Sequence, residues 1–91
     1  MSKPKEIWWS YVKNMVKDYP EGPEKTRTAV EAAIEEYADR PEQLQLMDLV
    51  YWKKIYNLSE AAEANHIPFA TAKLWHKEFI RCVAKHYGLT D

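Results

Sequence analysis

Residues 58–75 read Leu58-Ser59-Glu60-Ala61-Ala62-Glu63-Ala64-Asn65-His66-Ile67-Pro68-Phe69-Ala70-Thr71-Ala72-Lys73-Leu74-Trp75. A short run of helix formers gives way to a turn and then to the start of a second helix. Ser59 is placed as the N-cap of a short helix over about 60–65. His66-Ile67-Pro68 reads as a tight turn, with Ile67 as its apolar plug. The next helix starts near Pro68 or Phe69 and runs to Tyr87, where Gly88 stops it. Ala61 and Ala62 are small, as two closely approaching helices require. Ala72 and Trp75 point the inner face of the second helix at a core. Short capped helix, turn and longer helix together form the pattern of a helix-turn-helix.

Steps of 100° along the last helix separate two arcs. One carries Trp75, His76, Phe79, Cys82, Val83, His86 and Tyr87. The other carries Lys73, Lys77, Arg81 and Lys85 in one row, with Leu74, Glu78 and Ala84 among them. A lone basic row is usually a solvated face. After a turn of this kind it also suits a helix that enters the major groove by its N-terminal end and touches phosphates with later cations. Phe69, Ala70, Lys73, Leu74 and Lys77 are then expected near bases, Thr71 near a phosphate oxygen, and Arg81 and Lys85 near the backbone or in solvent.

Upstream, proline punctuates the chain. A first helix is expected over about 4–18, ended by Tyr19-Pro20-Glu21-Gly22-Pro23. A second runs from Pro23, suited to a first helical turn, to about Asp39. Arg40-Pro41 separates it from a third over about 41–56. The third is apolar nearly all round, through Leu44, Leu46, Met47, Leu49, Val50, Tyr51, Trp52 and Ile55, and is expected to be central. The first has an apolar arc of Ile7, Trp8, Trp9, Tyr11, Val12, Met15, Val16 and Tyr19. That arc is too wide for one neighbour, so Trp8, Trp9, Val12 and Val16 are expected to form a homodimer contact or to lie sandwiched. No segment alternates with period two. The fold class is therefore all-α: about five helices in one domain over 1–91, with 1–40 a helical scaffold and 41–91 a trihelical helix-turn-helix packed on it.

The 91 residues carry 13 basic and 14 acidic side chains. A net charge of −1 argues against nucleic acid, whose binders usually carry a basic surplus. The total hides a polarity. Residues 1–52 hold seven cations and ten anions, whereas residues 53–90 hold six cations and three anions. The single cysteine, Cys82, excludes an intrachain disulfide. No apolar run is long enough to span a membrane, and the N-terminus lacks a signal core, so a cytoplasmic location is expected.

Leu46 to Leu89 resembles the promoter-binding, C-terminal helix-turn-helix of bacterial sigma factors. Leu49-Val50-Tyr51-Trp52, Leu58-Ser59-Glu60-Ala61-Ala62, Ile67, Thr71-Ala72 and Phe79-Ile80 carry the likeness. Over most of its length the chain further resembles small phage-encoded regulators of the RinA/ArpU type, with Tyr19-Pro20 after the first helix. Asn65 and His66 stand where an apolar residue and a glycine are usual. The resemblance implies a DNA-binding transcription regulator of prophage late or packaging genes, with double-stranded DNA as its partner. The alternatives are a protein-interaction module docking on RNA polymerase or a phage protein, and a small terminase-type DNA-packaging subunit.

Other constellations carry less. Cys82 and His86 lie four apart on one helical face, a spacing metal sites use, but two ligands do not make a zinc site. Neither metal nor cofactor is expected. His76 beside Trp75 reads as a core or boundary histidine. Glu31 and Glu35 fall on a polar face, and Trp8 and Trp9 suit packing better than base stacking. No catalytic triad is visible, and no enzymatic activity is expected.

Overall fold

Turn chemistry sets the element boundaries. The computed structural model describes residues 8–89 and is all-helical over them. Helix α1 spans Trp8–Asp18, α2 Glu24–Glu36, α3 Pro41–Met47, α4 Leu58–Ala64 and α5 Phe69–Tyr87. Pro23 stands just before α2 and Pro41 opens α3, where a missing N–H costs nothing. The expected helix start at Pro4, and Ile7 of the first apolar arc, lie outside the described residues.

The third helix departs most from expectation. The α-helix stops at Met47 and the chain continues as a π turn over Asp48–Trp52. The Lys53 amide donates to the Asp48 carbonyl at 2.7 Å, five residues back. Wider winding turns Tyr51 inward, 6% exposed, and leaves Ile55 60% exposed in the irregular segment that follows. The element is thus not central along its whole length. That place belongs to α5, which packs against α1, α2, α3 and α4.

One core draws on every helix. Val12, Val16, Val30, Leu46, Met47, Phe79, Ile80 and Val83 are its largest fully buried side chains. Each is worth about 1.5–3 kcal/mol of burial. Tyr37 and Trp52 both meet the Phe79 ring edge-on, at 5.7 and 6.2 Å between centroids. Buried Gln43 is satisfied across the α3–α5 contact, donating to the Trp75 carbonyl and to Glu78 Oε1, each at 3.4 Å.

Candidate nucleic-acid interface

The segment from α4 to α5 is fixed at each joint by local chemistry. Asn57, not Ser59, is the N-cap of α4. Its side chain accepts from the Glu60 amide at 2.8 Å, while Glu60 Oε1 accepts from the Asn57 amide at 3.0 Å. At the other end His66 adopts the left-handed conformation, φ 58°. The His66 amide donates to the Glu63 carbonyl at 3.1 Å, and the Ile67 amide donates to Ala62 at 2.8 Å. This is the six-to-one and five-to-two pairing of a Schellman cap, with histidine where glycine is usual. Gly88, φ 96°, closes α5 in the same way, with Leu89 donating to Ala84 at 2.9 Å.

Ala61 and Ala62 of α4 and Ala72 of α5 are buried, and Ile67 is half-buried in the turn. Above Ala72, the first turns of α5 display Phe69 (50% exposed), Ala70, Lys73, Leu74 (54% exposed) and Lys77 to solvent. Thr71 is half-buried. Lys73 Nζ lies 5.6 Å from the Phe69 ring centroid, within reach of a cation–π contact. Arg81 and Lys85 continue the exposed row. Two members of that arc behave otherwise. Ala84 is fully buried, because α5 is covered on more than one side, and Glu78 turns to Gln43. The cations therefore form a strip rather than a half-cylinder.

The α1 arc is divided differently from the expected subunit contact. Val12 and Val16 are fully buried within the chain and offer nothing to a second copy. Their partners are α2, α5 and the π turn, which together cover what one neighbour could not. Trp8 and Trp9 are half-buried against the same core. Tyr11 stays 51% exposed, its hydroxyl 3.1 Å from that of Tyr87.

His76 is the boundary histidine its position implies. It hydrogen-bonds the Tyr51 hydroxyl, stacks on that ring and meets Trp9 edge-on at 6.2 Å. Burial, reinforced by the charge of Lys13, lowers its pKa to about 4. Burial likewise raises the Tyr51 phenol. Beside them a cleft of about 480 Å³ is lined by Lys13, Lys17, Lys54, Asn57, Tyr51 and His76, among others.

A second grouping joins distant parts of the chain. Glu36 ends α2, and Cys82 and His86 lie one turn apart on α5. His86 Nε2 stands 2.9 Å from Glu36 Oε1, and Cys82 Sγ lies within 4.8 Å of both groups. The His86 hydrogen bond chiefly holds the Glu36 carboxyl below the usual range. Burial, with the Glu36 charge, pushes the Cys82 thiol up to about 12.

The chain matches no family model, no curated protein and no solved structure in the comparisons made. Among the described residues no helix is long and apolar enough to cross a membrane.

Proposed function

We propose that the chain binds duplex DNA through the first two turns of α5, as a transcription regulator of the sigma-factor-like, phage-encoded kind. The supporting observation is the outward display of Phe69, Ala70, Lys73, Leu74 and Lys77 above the fully buried Ala72, directly after the α4 turn. Lys73 and Lys77 suit guanine acceptors in the major groove, and the apolar Phe69, Ala70 and Leu74 suit thymine methyl groups. Arg81 and Lys85 extend the charge toward phosphates, which position the helix without reading sequence. Polarisation of charge toward residues 53–90 supports the same face.

Selection of bound duplexes from a random library at physiological salt tests the proposal. An enriched consensus is expected, palindromic if two copies bind and asymmetric if one does. With two phosphates neutralised by Arg81 and Lys85, log K should fall against log salt with a slope of about −2. Failure to enrich any duplex would count against it.

One observation favours a second reading. Phe69, Leu74 and Ile55 are all at least half exposed, and apolar side chains on a presented helix also suit docking on a protein such as RNA polymerase. Complex formation indifferent to salt, without DNA retention, is the signature of that role.

A further inference from the structure

We propose that Glu36, Cys82 and His86 form a zinc-binding site that clips the C-terminal end of α2 to the last turns of α5. Glu36 Oε1, Cys82 Sγ and His86 Nε2 supply one ligand atom each, and these atoms all lie within 4.8 Å of one another. A carboxylate oxygen, a thiolate and an imidazole nitrogen form a donor set that zinc takes in tetrahedral sites, at roughly 2.0–2.3 Å from the ion. Such bonds hold ligand atoms roughly 3–4 Å apart, so the observed cluster needs only small side-chain rotations to close on an ion. His86 and Glu36 already touch at 2.9 Å and must open slightly.

The surroundings suit an ion that arrives from solvent. Cys82 is buried, 7% exposed, whereas Glu36 and His86 are exposed. A cleft of about 330 Å³ is lined by Cys82 together with Glu36, Tyr37, Arg40, Glu78, Arg81 and Lys85. Three protein ligands leave the fourth position to water from this cleft. Arg40, Arg81 and Lys85 oppose a dication, so binding is weaker than at a four-ligand structural site. The ion displaces the thiol proton, which passes to solvent. Imidazole nitrogen and carboxylate oxygen each donate a lone pair, and no redox partner is needed.

None of the three ligands belongs to the base-reading start of α5, while Arg81 and Lys85, assigned to phosphates, line the same cleft, so the metal is tested without DNA. Cobalt(II) serves as a spectroscopic probe, titrated into the reduced full chain in the absence of DNA. A thiolate-to-cobalt charge-transfer band with d–d bands of tetrahedral intensity is expected, and zinc should abolish both. Cys82→Ser should remove the charge-transfer band. His86→Gln, an exposed change whose fold is checked by thermal unfolding, should weaken cobalt affinity at least tenfold. The proposal is overturned if saturating cobalt gives no charge-transfer band, or if the band appears with the same affinity in His86→Gln and Glu36→Gln.

Discussion

Asn57 and Glu60 cap one another at the start of α4, each side chain bonded to the other's backbone amide at 2.8 and 3.0 Å. Two of the helix's orphan amides are thereby satisfied at once. Asn57→Ala should cost about 1 kcal/mol. Ser59→Ala, one position into the helix and exposed, should cost only a few tenths. Urea midpoints of the two variants, compared at constant m, decide between the two residues as caps.

His66 pays for its left-handed conformation, φ 58°, with strain of about 1–2 kcal/mol that glycine escapes. Glycine also loosens the unfolded chain, which returns part of that gain. His66→Gly should therefore be neutral to about 1 kcal/mol stabilising. His66→Val, β-branched at the same φ, should destabilise by about 1 kcal/mol or more. Denaturant unfolding of the pair tests whether this turn is held in the left-handed region in solution.

Trp52 Nε1 donates to the Val16 carbonyl at 2.9 Å, near the end of α1, while its ring meets Tyr19 and Phe79. Trp52→Phe keeps an aromatic ring and removes the donor. The loss should be about 1–2 kcal/mol, combining an unsatisfied carbonyl with lost area. A thermal midpoint unchanged from wild type would show that the bond contributes nothing.

His76 makes stability depend on pH. Its folded pKa of about 4 lies below the ordinary 6.5, so the unfolded chain takes up a proton first as pH falls. Stability is fully present above pH 6.5, declines between pH 6.5 and 4, and then levels. The whole shift corresponds to about 3 kcal/mol. With the imidazole partly reached by solvent, about 1–2 kcal/mol is expected. His76→Phe should flatten the profile across that window relative to wild type, measured by urea unfolding at successive pH values.

The all-helical class and most helix ends were legible because proline and glycine act locally: Pro23, Pro41 and Gly88 fall where the chain needs them. The cap of α4 was misplaced: Ser59 offers cap chemistry, but Asn57, two positions earlier, stands three residues before Glu60 and closes the capping box. The π turn was not legible. Its winding follows from where Tyr51 and Trp52 find partners, and those partners, His76, Val16 and Phe79, lie on other elements. The width of the α1 arc could be read, but not that three neighbours would share it and bury Val12 and Val16. Glu36 stands 46 residues before Cys82, and only the packing of α2 on α5 joins them. At the start of α5 the exposed set follows helical periodicity, so the sequence was enough to place it.

The most direct test of DNA binding is a fluorescence-anisotropy titration of a library-selected duplex at about 0.15 M salt, comparing wild type with the Lys73→Glu, Lys77→Glu double variant. Both positions are exposed, so the double variant should unfold within a few degrees of wild type. Binding by wild type and a loss of at least a hundredfold in the variant is the expected result. Undiminished affinity in the folded double variant would contradict the assignment of the α5 start as the DNA-reading surface.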